Sequence, residues 1–243
     1  MFSRNELYWG KEAQKLLSQK HVAIFGLGGV GGYCAEMLAR AGIGTLTLVD
    51  FDTVSQSNIN RQIIALNSTI NQSKAQLFHS RLKDINPEIN LIIIDDFYTE
   101  NASFNFEGID FVADAIDTMR SKISLIEHCY NSKIPIISSL GAGSRINPED
   151  LYITDISEIK NKKDVFTSNV LYQLKKRSIE SGIPVVTSTE PAHTQQRITQ
   201  TEHITTKNGE NIEFKKITPA STPFVAPCAG IFMSSYITRK LLF

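Results

Sequence analysis

Short apolar runs alternate along this chain with stretches whose apolar residues recur every three or four positions. Residues 4–18 have the second rhythm, through Leu7, Leu16 and Leu17, and predict a helix with Arg4 at its start. Residues 22–25 form an apolar strand that runs into a glycine turn, Gly26, Gly28, Gly29 and Gly31. A helix follows with Ala35, Leu38 and Ala39 inward. Thr45–Val49 is a second strand, ended by Asp50. A loop over 51–62 leads to a helix over 69–85, which carries Lys74 and stops at Asn86-Pro87, because proline disfavours helix in the residue before it. Asn90–Ile94 is apolar throughout, as expected of a strand covered on both faces. Residues 95–106 read as a polar connection or short helix. Strands over 109–116 and 135–140 flank a helix over 119–130, and the first ends among Asp114 and Asp117. A further, antiparallel strand over 152–156 precedes a lysine-rich stretch, a helix over 166–179 and a short strand, Pro184–Ser188. Residues 189–222 are polar and threonine-rich, a flexible excursion with room for a hairpin turning at Asn208-Gly209. A helix over 229–242 closes the chain.

This order predicts an α/β fold: a Rossmann-like, mostly parallel sheet flanked by helices, continuing into antiparallel strands. Residues 1–157 read as a nucleotide-binding domain. Residues 158–243 read as its extension, made of a basic helix, the polar excursion and a terminal helix. The glycine turn between strand and helix brings backbone N–H groups against a phosphate at the positive end of the helix, and Asp50 has the spacing of a carboxylate that holds a ribose hydroxyl. That much fits NAD as well as ATP. Hydride transfer has no use for Asp52, Asn58, Arg61 and Lys74, whereas a triphosphate needs cations for its β- and γ-phosphates and an acid for magnesium. Simpler roles stand beside these. Asp117 immediately precedes an apolar helix and has the place of an N-cap. Asp50 fits a turn, and Lys74 and Arg4 fit solvated helix positions. Lys122, five residues after Asp117, is a weaker phosphate candidate.

Composition changes the picture little. The 243 residues are 42% hydrophobic and carry a net charge of zero, so no overall attraction to nucleic acid is predicted. From Leu151 onward there are 12 Lys and Arg against 8 Asp and Glu, so a mildly basic second part permits a phosphate-rich partner. The three cysteines, Cys34, Cys129 and Cys228, form no CxxC pair, which argues against a structural zinc of that kind. Cys34 and Cys129 fall on apolar helix faces. An odd cysteine count and an opening without a signal-peptide pattern predict a cytoplasmic protein, and no apolar run is long enough to span a bilayer.

The pattern D-x-D-x-V-x-x-S-N-x-x-R-Q, from Asp50 to Gln62, resembles the adenylating family of ubiquitin-like activating enzymes and their bacterial relatives in thiamine and molybdopterin synthesis. Within that family FSRNELYWGKE, DAIDTMRSKISLI and SSLGAGSRINPEDLYITDIS are most similar to the tRNA threonylcarbamoyladenosine dehydratases, and the resemblance is firmest over residues 2–157. It implies ATP-dependent dehydration of threonylcarbamoyladenosine in tRNA through an acyl adenylate. It implies that Asp117 helps hold magnesium, that Asp50 takes the ribose and that Asn58, Arg61 and Lys74 lie among the phosphates. It further implies a homodimer in which Arg4 reaches the partner's ATP, possible sulfur-transfer accessory proteins, and a monovalent cation, Na+ or K+, near residues 188–191. The alternatives are an adenylyltransferase for the C-terminal glycine of a ubiquitin-like sulfur carrier, and a scaffold that holds ATP without turnover. The absence of paired zinc cysteines and of a crossover cysteine in its usual setting counts against the first. Intact Arg61, Lys74 and Asp117 count against the second.

Overall fold

A computed structural model describes residues 1–100, 104–162, 164–193, 198–205 and 211–243, with the backbone alone for 198–205 and 211–218. Seven strands form one sheet. They are β1 (His21–Phe25), β2 (Thr45–Val49), β3 (Asn90–Ile94), β4 (Phe111–Asp114), β5 (Ile136–Ser139), β6 (Leu151–Asp155) and β7 (Pro184–Ser188). Their order is β3-β2-β1-β4-β5-β7-β6. Every neighbouring pair is parallel except β6 with β7. From β1 the chain first builds outward through β2 and β3, then crosses back to β4 on the other side. The crevice beyond the carboxyl ends of β1 and β4 is therefore the switch point where such sheets bind ligands.

Among the described residues, six helices cover the sheet: α1 (Ser3–Leu17), α2 (Gly31–Ala41), α3 (Lys74–Ile85), α4 (Met119–Asn131), α5 (Val165–Lys175) and α6 (Val225–Leu242). Leu17, Leu38, Phe78, Leu82, Met233 and Ile237 form the core of one face, under α1, α2, α3 and α6. Ile123, Ile126, Cys129, Val170 and Leu174 form that of the other, under α4 and α5. No helix among the described residues is long and apolar enough to cross a membrane. Two more strands, β8 (Ile198–Thr205) and β9 (Asn211–Thr218), pair antiparallel with each other alone, so the excursion read from the sequence holds a hairpin. The expected turn at Asn208-Gly209 lies outside the described residues.

Several elements differ from the sequence pattern, each for a local reason. β3 is an edge strand with Ile92 exposed, not a strand covered on both faces. In α1, Leu7 points to solvent and Gly10, at φ +86°, breaks the helical geometry. Helix α3 begins at Lys74 rather than at 69. Residues Asn67–Thr69 form a 3-10 turn whose Thr69 hydroxyl donates to the Ile64 carbonyl and accepts from Leu66 N–H. Ser73, whose Oγ accepts from Gln76 N–H, then caps the helix. Helix α5 stops four residues early because Ser178 takes a left-handed φ of 60°. Helix α6 starts four residues early, with Pro227 in its first turn, where its missing N–H is not needed. β7, from the second part of the sequence, lies between β5 and β6 of the first, so the sheet runs across residue 157.

Candidate active site

The glycine turn leaves β1 at the switch point. Gly26 has φ +86°, and a Cβ there would stand 2.7 Å from the Ala115 carbonyl oxygen of the neighbouring crossover. At Gly31 a Cβ would stand 1.8 Å from the Gly26 oxygen. Only glycine allows the turn to fold back this tightly. Helix α2 begins at Gly31 with no side-chain cap, which leaves the positive end of its dipole facing the crevice. Gly28 and Gly29 line that end. The nearest atoms to a Cβ at Gly29 are the Arg61 Cγ, at 3.1 Å, and the Ala226 Cβ, at 3.2 Å.

Asp50, at the end of β2, braces the turn from the side. One carboxylate oxygen accepts the Leu27 N–H at 2.5 Å and the other the Asp52 N–H at 2.8 Å. Burial pushes its carboxyl up to about 6, against the opposing pull of Lys74. Lys74 opens α3 and is buried, with Nζ 2.8 Å from the Asp52 carboxylate and its N–H on the Asp52 carbonyl. Asp52 is the half-exposed member of this pair. Asn58 closes a 3-10 turn, Gln56–Asn58, with its Oδ1 accepting the Ser55 N–H. That turn carries Arg61, which donates to the Ser57 carbonyl and to Asn60 Oδ1. Burial lowers the Arg61 guanidinium, and the charge of Asp117 works against that shift. Asp117 is exposed at the mouth of the β4–α4 crossover. The N-cap of α4 is Thr118, not Asp117, so the capping role does not belong to the acid. A glycine cradle, two cations and two accessible acids thus converge on one crevice. Such an arrangement binds a polyphosphate and balances charge that develops on it.

Residues 2–148 match the model of the ThiF family. The chain belongs to that family. It is 40% identical over 246 residues to the Bacillus subtilis tRNA threonylcarbamoyladenosine dehydratase, covering 99% of this chain and 94% of that one. Identity to the Escherichia coli dehydratase is 39% over 169 residues, 69% of this chain and 62% of that one. A molybdopterin-synthase adenylyltransferase of Salmonella typhimurium is 37% identical over 136 residues, 56% of this chain and 54% of that one. The structure matches the crystal structure of the E. coli dehydratase TcdA in complex with ATP at a TM-score of 0.85 and 30% identity, covering 99% and 93% of the two chains.

Other residues of this ThiF-family chain lie elsewhere than the sequence suggested, or went unnoticed. Arg4 is exposed on α1, away from the groups just described. Lys122 faces no phosphate crevice: it is fully buried and paired with Asp114. Cys34 and Cys129 are core thiols, and burial raises both, Cys129 to about 12. Gln62 is buried beside Gly28, and its Oε1 has no hydrogen-bond partner among the described residues. Arg145 is buried and donates to the carbonyls of Glu190 and Gly143, tying the loop after β5 to the loop after β7. The Glu190 carboxylate in turn accepts the N–H groups of Ile146 and Asn147. Gln62 and Arg145 both sit within the segments that carried the family resemblance, so position in the pattern was the available signal.

Proposed function

We propose that the protein catalyses the ATP-dependent cyclisation of N6-threonylcarbamoyladenosine in tRNA, with loss of one water. The threonyl carboxylate of the modified base attacks the α-phosphorus of ATP, giving an acyl adenylate and pyrophosphate. The carbamoyl group of the same modification then attacks the activated carbonyl. The ring closes and AMP leaves, carrying the carboxylate oxygen that would otherwise depart as water. The acceptor is intramolecular, so effective molarity takes the place of a catalytic thiol. The observation that carries this reading is the extent of the likeness to the B. subtilis dehydratase, 99% of the chain, beyond the region that the family model reaches.

The chain's own groups act mainly by charge and position. Gly26, Gly28, Gly29 and Gly31 let the α2 N-terminus meet the phosphates, and Asp50 holds the ribose. Asn58, Arg61 and Lys74 take the phosphate oxygens, and Arg61 and Lys74 stabilise the charge that develops on pyrophosphate. Lys74 exchanges Asp52 for the nucleotide. Asp117 is the residue for Mg2+. One exposed carboxylate beside phosphate oxygens fits that ion, which keeps several waters and takes few protein ligands. When bound, Mg2+ supplies Lewis-acid stabilisation of the leaving pyrophosphate. Arg4 completes the site of a partner copy in a homodimer, where its exposure on α1 suits a reach outward. A monovalent cation, Na+ or K+, near residues 188–191 is part of the same reading, carried over from the family likeness alone. The free cysteines fit a reducing, cytoplasmic compartment.

The test is mass spectrometry of nucleosides from tRNA bearing the modification, after incubation with ATP, Mg2+ and the protein. Loss of one water, abolished by Asp117→Ala, is the expected result. Pyrophosphate exchange that requires a small ubiquitin-like protein, without water loss, would move the assignment to a carrier-protein adenylyltransferase.

A further inference from the structure

An enclosed ion pair lies at the end of β4, below the exposed Asp117. Asp114 and Lys122 are both 0% exposed, with Nζ 2.6 Å from Asp114 Oδ2. Lys122 also donates to Ser138 Oγ at 3.0 Å, and that hydroxyl donates to the same Asp114 oxygen at 2.6 Å. The other oxygen, Oδ1, accepts the Ile116 N–H at 3.1 Å. Taking two charges out of water costs several kcal/mol each, and an apolar pair of the same size would often stabilise a fold as well. Core packing alone therefore gives no reason for charges here. The hydrogen bonds supply one, because they converge on a single short crossover.

Hydrogen bonds hold residues 115, 116 and 118, on both sides of Asp117. The Ala115 N–H donates to the Phe25 carbonyl at 2.8 Å, which ties the crossover to the strand that leads into the glycine turn. The Ala115 oxygen lies against Gly26. Ile116 is fixed by the buried carboxylate. The Thr118 carbonyl accepts the N–H of Lys122, one turn into α4, at 3.0 Å. Of the four residues, Asp117 alone is exposed. The same carboxylate, lysine and hydroxyl thus join three elements, β4, α4 and β5, and their shared output is the position of one acidic side chain.

We infer that Asp114, Lys122 and Ser138 are positioning residues for Asp117, setting where its carboxylate stands relative to the glycine turn. This rests on the reading that Asp117 serves the nucleotide and its metal. Ser138→Ala and Lys122→Met, made in the full chain, test it by hydrogen exchange and by calorimetric ATP binding with and without Mg2+. Both variants are expected to speed exchange at 116–118 about tenfold or more while core strands stay protected. Metal-free ATP affinity stays within about twofold, and the gain in affinity from Mg2+ is lost. In an Asp117→Ala background neither variant weakens Mg2+-dependent binding further, because the two changes act through one group. Additive losses in that background, unchanged exchange at 116–118, or an Asp117→Ala protein that binds ATP and Mg2+ like the parent would each overturn the inference. If Lys122→Met fails to fold, Ser138→Ala, which leaves the ion pair in place, decides alone. None of these readouts involves tRNA, so a parent protein that leaves the modified nucleoside unchanged would defeat the dehydratase reading and leave this one standing.

Discussion

At the scale of residues, Asp50 carries its charge at a cost. Burial raises the folded carboxyl from 3.8 to about 6, so the native state binds a proton more tightly than the unfolded chain does. The sign follows: between pH 3.8 and about 6 the unfolded state gains relative to the native one as pH rises. Above that window the ionised carboxylate costs the fold about 3 kcal/mol. Asp50→Asn removes the charge but sets an amide NH2 against one of the two backbone N–H groups that the carboxylate accepts, so the cost of the charge is read from the pH dependence. The variant is expected to lack the fall in melting temperature that the parent shows by calorimetry as pH rises towards about 6, and to weaken ATP binding at pH 8. In the parent protein ATP affinity falls as pH drops through about 6, and the Asn variant lacks that component of the pH profile. A parent profile that the variant reproduces would remove Asp50 from the nucleotide site. The half-buried Cys228 gives a second expectation. The cyclisation needs no thiol, so Cys228→Ser retains turnover within about twofold of the parent, whereas transfer through a thioester would stop. Residue identities in the glycine turn and the Asp50-to-Gln62 pattern were legible in the sequence, because their chemistry follows from type and spacing. Lys122 was not. Its separation from Asp117 fits an outward or an inward helix position equally, and only the position of Asp114 and Ser138 across the sheet decides between them.

At the scale of elements, the last helix supports the first turn. Gly230 lets α6 lie on the start of α2: a Cβ at that position would stand 2.2 Å from the Val30 oxygen and 3.0 Å from the Cys34 nitrogen. Ala226, one turn earlier, touches the space over Gly29. Gly230→Ala is expected to destabilise by about 1–3 kcal/mol through overpacking, and to weaken ATP binding because the displaced backbone carries the glycine turn. Thermal melting and calorimetry read the two effects. A stability loss with unchanged ATP affinity would show that α6 supports the fold but not the turn. The small residues of the closing helix were visible in the sequence, though not which partner they admit. Strand β3 shows the complementary failure. Five apolar-rich residues predict burial on both faces, but an edge position is fixed by the order of distant strands, which no local pattern encodes. The early start of α6 and the late start of α3 turned on a proline tolerated in a first turn and on a threonine hydroxyl that diverts the preceding backbone.

At the scale of the whole molecule, the parallel strands were legible as apolar runs separated by helical rhythm, while the point where their order reverses, between β1 and β4, was not. Whether a second copy completes the site was not, because a surface that meets a copy of itself looks locally like any other. α1 exposes Leu7 and Tyr8 at more than 80% each beside Arg4, an apolar surface consistent with such a contact. If Arg4 acts across a dimer, Arg4→Ala and Asp117→Ala proteins are each inactive, and mixing them restores about a quarter of parental turnover, from one intact site in half of the dimers. No recovery on mixing would confine each site to one chain. The position of β7 carries a different kind of consequence, one of timing. The strand that fills the gap between β5 and β6 comes from residues 184–188, after the chain has left the sheet for α5 and returned. As the protein emerges from the ribosome, β5 waits with an unpaired edge until some thirty further residues beyond β6 have been made, and a bare parallel edge invites pairing with other chains. The growing chain is therefore most open to mispairing late in its synthesis, when the edge of β5 and the face of α2 that α6 will cover are both still bare.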